Sequence, residues 1–391
     1  MTTLSALPGF GALLPLSAAA VPGNPETRDV IAELGVRRFI NAAGTYTSLT
    51  ASLMPPEVFS AMQVASRQYV PLNDLHDAVG ARIAKLLECE GALVSAGCAS
   101  ALSLATAACV AGSDRDKIRQ LPDTHTLKNE VIVQASHRNG YDHAIRNAGV
   151  QLIEVETAQQ LERAINHRTA MMAYFNFATP NGKIAHEEFI ALGKKHGIPT
   201  LIDAAADVPP VDNLFRFTKM GFDLVAFSGG KGLRGPQSAG LLLGRKNLIE
   251  AARLNDSPND SLCRTNKVNK EELVGMLVAL ELFVGRDHKA VWKDWEAQCS
   301  RIAAAVAGMK TVKTETFIPE IANAVPHLRI VWDEAALGMT SAEATKKMRE
   351  GEPSIELRPG AREGLEVAVW MLDPGEDEIV ARRVREVLTK A

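Results

Sequence analysis

The run Ala226-Phe-Ser-Gly-Gly-Lys-Gly-Leu-Arg-Gly-Pro-Gln-Ser-Ala-Gly240 sets one lysine, Lys231, between glycines directly after an apolar stretch. Glycines allow unusual backbone angles and let a bulky ligand come close. An amine beside apolar residues loses proton affinity and becomes a nucleophile. The same run fails as a phosphate-binding P-loop. Val225 stands where the first glycine belongs, and Gly232 replaces the Ser/Thr that holds magnesium. A solvated lysine in a glycine turn is the competing reading.

Further upstream, Thr200-Leu-Ile-Asp-Ala-Ala-Ala-Asp207 puts Asp203 at the end of an apolar strand. Ligands of open α/β sheets bind outside the carboxyl ends of strands, so Asp203 and Lys231 can face one crevice. A carboxylate there can keep a pyridine nitrogen protonated and deepen an electron sink. The alternative is an N-cap for a helix starting at Ala204–Ala206. A third segment, Val94-Ser-Ala-Gly-Cys-Ala-Ser-Ala101, turns from a strand into a helix. The backbone of Gly97, Cys98, Ala99 and Ser100, with the Ser100 hydroxyl, can hold a phosphate at the helix N-terminus; ordinary capping competes. Ser228 is a second candidate phosphate donor. His137 follows a strand and can stack on a ring, with Tyr141 as its rival, or cap the next helix. His125, His143, His186 and His196 read as solvated or capping, and no spacing marks a metal site.

These residues need elements to present them. Apolar runs at 92–95, 131–134, 152–155, 171–175, 200–203, 224–227 and 240–243 read as strands covered on both faces. Segments 56–69, 75–87, 99–110, 142–147, 158–165 and 187–196 read as helices, with Gly149, Gly197 and Gly221 at C-cap positions. The alternation predicts an α/β protein with a three-layer, mostly parallel sheet. Residues 255–269 are polar, contain Pro258 and read as a long loop, and 271–283 read as a helix. After Trp292 comes a helix, then strands at 327–332, 354–358 and 366–370, and a closing helix at 376–388. The expected division is an N-terminal arm or export-signal remnant (1–38), a large ligand-binding domain (39–270), connecting helices (271–300) and a small C-terminal α+β domain (301–391).

Composition narrows the class. The chain has 391 residues, 46% hydrophobic and 23% charged, as a globular protein with a sizeable core requires; disordered, collagen-like and coiled-coil architectures are excluded. A net charge of -3 offers nothing to a polyanion, so no nucleic acid is expected. Five cysteines without a CxxC spacing read as reduced thiols. Met1–Pro25 carries no charge and is apolar over Leu4–Val21, but Pro8 and Pro15 break a spanning helix, so no membrane partner is expected. Ala18–Ala20 looks like a cleavage site without the basic region before it. Two readings stay open: an arm packing on a neighbouring subunit of a cytoplasmic protein, or the tail of an export signal.

The Asp203 strand, the Ser-Gly-Gly-Lys231 turn and the Gly-Pro-Gln behind it resemble fold-type I pyridoxal-phosphate enzymes. Within these they resemble the L-seryl-tRNA selenium transferase (selenocysteine synthase) branch and its D-glucosaminate-6-phosphate ammonia-lyase-like relatives. Phe39-Ile-Asn-Ala-Ala-Gly-Thr45, Leu75-His76 with Gly80, Arg264-Thr-Asn-Lys-Val-Asn-Lys-Glu-Glu272 and Leu372-Asp-Pro-Gly-Glu-Asp-Glu-Ile379 support the likeness, which runs from about Phe39 to the C-terminus. The resemblance implies an aspartate aminotransferase-like large domain with a small C-terminal domain, and pyridoxal 5'-phosphate as cofactor. Lys231 would form the Schiff base and shuttle protons. Asp203 would pair with the pyridinium nitrogen, Gly97, Cys98, Ala99, Ser100 and Ser228 would hold the phosphate, and His137 would stack on the ring. Arg264 and Lys267 would bind an anionic group, Arg358 (with Arg329 as rival) the substrate carboxylate, and Tyr46 would line the substrate side. A homodimer or larger even homo-oligomer, with the site near the interface, is implied too.

The implied reaction is α,β-elimination from a polar 2-amino-3-hydroxy acid, an amino sugar acid among the candidates, to a 2-oxo acid and ammonia. Aldol cleavage, racemisation, transamination and selenium transfer to seryl-tRNA are the alternatives. Selenium transferases carry an acidic residue before the lysine, where this chain has Gly230, and the chain shows no added tRNA-binding domain. Both differences point toward the ammonia-lyase-like relatives.

Overall fold

In a computed structural model, which describes residues 28–361 and 363–389, seven strands form one sheet. They are β2 (Gly91–Ser95), β3 (Glu130–Gln134), β4 (Gln151–Val155), β5 (Thr169–Phe175), β6 (Thr200–Asp203), β7 (Leu224–Ser228) and β8 (Gly240–Gly244), in the order β2-β8-β7-β6-β5-β3-β4. All run parallel except β8, which is antiparallel to both neighbours. The reason is local. Only the glycine-rich turn around Lys231 joins β7 to β8, too little chain for the helical crossover that parallel strands need. All seven apolar runs of the sequence became these strands.

Both sheet faces are covered, which is why the strands are apolar throughout rather than alternating. Val131, Val133 and Leu201 face the helix Gly97–Ala111, whose small residues lie flush on the sheet. Ile132, Ile202 and Val225 face Phe189, Phe217 and Leu273 on the other side. The helix Lys270–Val284 opens with a capping box between Asn269 and Glu272, as the polar loop before it requires.

A second set of strands gathers around the C-terminal sequence. β9 (Lys313–Phe317), β10 (His327–Val331) and β12 (Leu365–Ala368) form an antiparallel sheet in the order β12-β10-β9. β11 (Ile355–Leu357) pairs in parallel with β1 (Ile40–Ala42). Ile40 and Ala42 therefore pack with Trp295, Leu328, Val367 and Val384, far from them in sequence. β9 was not expected: Lys-Thr-Glu-Thr-Phe is an exposed edge strand with no apolar face to betray it.

Of the described residues, 28–39 belong to a separate unit. Within it the short helix Val30–Glu33 is capped by Asp29, whose carboxylate accepts the Ala32 N–H. The segment read as an arm or export-signal remnant, Met1–Pro25, lies outside the described residues. Among the described residues no helix is long and apolar enough to cross a membrane.

Candidate active site

Asp203 ends β6, and Lys231 follows β7, the strand paired with it in parallel. No helix starts after Asp203, so it caps none. Its Oδ1 accepts the Ala205 N–H at 2.9 Å and the Cys98 thiol at 3.6 Å. No donor among the described residues reaches Oδ2. Burial raises the Asp203 pKa, opposed by the Ala205 N–H, the nearby Lys231 charge and Cys98. Lys231 is half-buried and also acts electrostatically on Cys98 and Asp207, so these four residues form one cluster.

The lysine turn is built on close backbone contact. A Cβ at Gly230 would lie 2.3 Å from the Gln237 Cα, and one at Gly232 would lie 2.0 Å from the Val208 carbonyl. Neither position accepts a side chain without a shift of the backbone. Residues 46–53 brace it from outside. Ser52 Oγ donates to the Gly230 carbonyl at 2.7 Å, Arg234 Nε to the Leu53 carbonyl at 2.9 Å, and Gln237 to the Thr47 carbonyl at 3.2 Å. Half-buried Tyr46 heads this segment. Asn41 shapes the turn before it, accepting the Ala43 and Gly44 N–H groups and donating to the Gly44 and Ala51 carbonyls.

The helix Gly97–Ala111 begins beside this cluster with no side-chain cap. Gly97 has φ +81°, and its carbonyl accepts the Ser95 hydroxyl at 2.9 Å. Ser100 Oγ is buried and has no hydrogen-bond partner among the described residues. A buried orphan hydroxyl at an uncapped helix N-terminus suits a phosphate. Half-buried Ser228 closes β7 nearby, paired with Gly240, where a Cβ would strike the Gly97–Cys98 peptide.

His137 departs from expectation. It is 0% exposed; its Nδ1 accepts the Phe175 N–H at 3.2 Å, its Nε2 lies 3.2 Å from the Gln134 amide, and its ring meets Tyr174 edge-on at 4.5 Å. Burial takes its pKa down to about 4, so it stays neutral. No face is left for a cofactor ring, and His137 instead ties β3 to β5. Tyr141 is exposed. Arg264 and Lys267 are exposed on the 255–269 loop, with no side-chain partner among the described residues.

Arg358 follows β11 and borders a cavity of about 440 Å³ with Arg329, Pro359, Gly360, Glu363 and Glu366. Arg329 commits Nε and Nη2 to Glu366 and Nη1 to Glu315. Among the described residues, Arg358 gives only Nη1 to Glu366, at 2.8 Å, so of the two arginines it is the one with donors left over.

Asp207 escaped the sequence reading, although a second carboxylate four residues after Asp203 was the signal for it. Burial pushes its pKa up to about 6, eased by hydrogen bonding from Asn176 and the Ala322 N–H; Asp203 adds to the rise. It borders a second cavity of about 290 Å³ with His186, Asn213, Arg216 and Glu320. The Asn323 N–H donates to the Ala206 carbonyl at 2.7 Å, so the chain before β10 is pinned to the Asp203–Asp207 turn.

The L-seryl-tRNA selenium transferase (SelA) family model matches residues 39–293. The chain belongs to this family. It is 27% identical over 381 residues to a D-glucosaminate-6-phosphate ammonia lyase of Salmonella typhimurium, covering 93% of this chain and 99% of that protein. It is 31% identical over 375 residues to a 5'-C-glycyluridine monooxygenase-decarboxylase of a Streptomyces species, covering 91% of each. A solved structure of D-glucosaminate-6-phosphate ammonia-lyase superposes with a TM-score of 0.82 at 26% identity, covering 93% of this chain and 99% of that one. The protein is a fold-type I, pyridoxal-phosphate-dependent enzyme of the ammonia-lyase-like kind. Its residues fit that cofactor: an orphaned Ser100 hydroxyl for the phosphate, an Asp203 oxygen without a donor among the described residues, and Lys231 near enough for its charge to act on that carboxylate.

Proposed function

We propose that this lyase removes water and then ammonia from a polar 2-amino-3-hydroxy acid, an amino sugar acid among them, leaving a 2-oxo acid. The observation that carries the reading is the Lys231 amine set beside a buried carboxylate whose second oxygen is uncommitted. The cofactor, when bound, supplies the electron sink for a bond broken at the substrate α-carbon. Gly97, Cys98, Ala99, Ser100 and Ser228 would hold its phosphate, and Asp203, with Oδ2 uncommitted, would pair with its ring nitrogen. Lys231 Nζ takes the α-proton and passes a proton to the departing β-hydroxyl, which leaves as water. The enamine released hydrolyses to the 2-oxo acid and ammonia. Arg358 holds the substrate carboxylate through its free donors, Tyr46 lines the substrate side, and Arg264 and Lys267 meet a distal anionic group.

The lobe around residues 39–270 carries the residues assigned to the cofactor, and the lobe around 301–391 carries Arg358, assigned to the substrate. A homodimer in the cytoplasm is the assembly we favour. Phe59, Val64 and Tyr69 are exposed apolar side chains on and after the helix Pro56–Ser66, apolar surface that a second copy could cover.

Product analysis tests the reaction. Incubation with candidate 2-amino-3-hydroxy acids is expected to give ammonia and a 2-oxo acid with the carbon chain intact, one to one. The Streptomyces relative keeps a second reading in view, a different pyridoxal-phosphate reaction at the α-carbon of an amino acid. Carbon dioxide release, oxygen uptake, a shortened chain or an amino group moved to an acceptor would replace elimination with that reading.

A further inference from the structure

The thiol of Cys98 has no part in the scheme above, yet it lies against the one carboxylate the scheme depends on. Its backbone is over-determined. Gly97 turns the chain in the left-handed region, the Ser95 hydroxyl fixes the Gly97 carbonyl, and the absence of a side chain at Gly240 lets β8 press on the Gly97–Cys98 peptide. Cys98 Sγ is thereby brought to 3.6 Å from Asp203 Oδ1, within hydrogen-bond reach for a sulfur donor. The Ala205 N–H donates to the same oxygen at 2.9 Å. With two donors on Oδ1, the carboxylate cannot rotate without losing both, and Oδ2 is the oxygen left for a ligand.

We infer that Cys98 is a positioning residue for the cofactor: its S–H donates to Asp203 Oδ1, fixing the carboxylate plane and favouring its charged form, so that Oδ2 meets the pyridinium nitrogen as an anion. This rests on the pyridoxal-phosphate reading of the site. Burial and the neighbouring Asp203 hold the thiol pKa well above its ordinary value, so the group stays a donor across the working range. The charged and titratable groups facing Asp203 are Lys231, Cys98 and Asp207, and of these Cys98 alone hydrogen-bonds it. A donor to a carboxylate lowers its pKa; removing the donor raises it.

The test uses the full chain stripped of cofactor and titrated with pyridoxal 5'-phosphate from about pH 5 to pH 8, following the visible absorbance of the bound form. Affinity falls at low pH as Asp203 takes up a proton. Cys98→Ala and Cys98→Val, the second keeping the volume without the donor, are expected to weaken binding about 2- to 10-fold, the range of one hydrogen bond. Both are expected to move the acid limb of the affinity profile upward in pH, while Cys98→Ser, which keeps a donor, stays close to wild type. Cys98→Val behaving like wild type while Cys98→Ala alone weakens would show a packing role and overturn the inference. So would an unmoved acid limb in both variants. Wild-type protein that binds no pyridoxal phosphate at any pH would instead sink the cofactor reading itself, a separate result.

Discussion

Asp203 and Glu366 are both carboxylates drawn into the fold beside cationic side chains, and they differ in what is left over. Glu366 takes Arg329 on one oxygen and Arg358 on the other, and Arg329 goes on to Glu315. That cluster has almost spent its charges on one another, although Arg329 and Glu315 stay in reach of water. Around Asp203 the count stays open. Oδ2 has no donor among the described residues, Ser100 Oγ has no partner, and the helix Gly97–Ala111 starts uncapped. Buried polar groups carry an energetic cost when unpaired, so a fold that keeps several of them together is keeping a place for a ligand. Charge alone does not separate the two regions; unspent hydrogen-bonding capacity does.

The sharpest break in that contrast is Lys231→Ala. Turnover is expected to fall by about 10³-fold or more, since proton transfer goes with the nucleophile, while thermal unfolding shifts little because the side chain is half-buried. Steady-state kinetics and a melting curve check both.

Asp207 gives the next largest effect, on stability. Its folded pKa of about 6 lies above that of an unfolded aspartate. Between about pH 4 and pH 6 the unfolded carboxyl has released its proton and the folded one still holds it, so stability falls as pH rises through that window, by about 3 kcal/mol. Asp207→Asn lacks this term. Urea unfolding at both ends of the window should show the variant gaining on wild type by that amount at the higher pH.

Asp203→Asn is expected to lower kcat by about 10²-fold, through loss of the anion that faces the ring nitrogen. Arg358→Ala is expected to raise the KM for the amino acid about 10-fold with little change in melting temperature. Arg329→Ala, which empties the nearly closed cluster, is expected to lower melting temperature with KM less affected. The reverse pattern would exchange the roles of the two arginines.

Much of the scaffold was legible because strands buried on both faces announce themselves as continuous apolar runs. β5, Thr-Ala-Met-Met-Ala-Tyr-Phe, is buried along its whole length. β9 was invisible for the opposite reason, being a polar edge, and β1 because its partner β11 lies more than three hundred residues away. In the site, Lys231 and Asp203 were readable since a strand end fixes where each points. His137 misled because a ring after a strand can turn inward as readily as outward, and only packing against Tyr174 decides. The Cys98 thiol was missed because its partner Asp203 comes from another element, and Asp207, despite its place four residues after Asp203, because the groups that bury and bond it, Asn176 and Ala322, lie far off in the chain.

On the proposed scheme, the open region around Asp203 is kept for pyridoxal phosphate on Lys231. Borohydride reduction of the cofactor-loaded protein, followed by peptide mass mapping, tests it directly. A pyridoxyl-phosphate group on the peptide containing Lys231, absent when Lys231 is replaced by alanine, is the expected result. Labelling of a different lysine, or none under conditions that bleach the visible band, would contradict it.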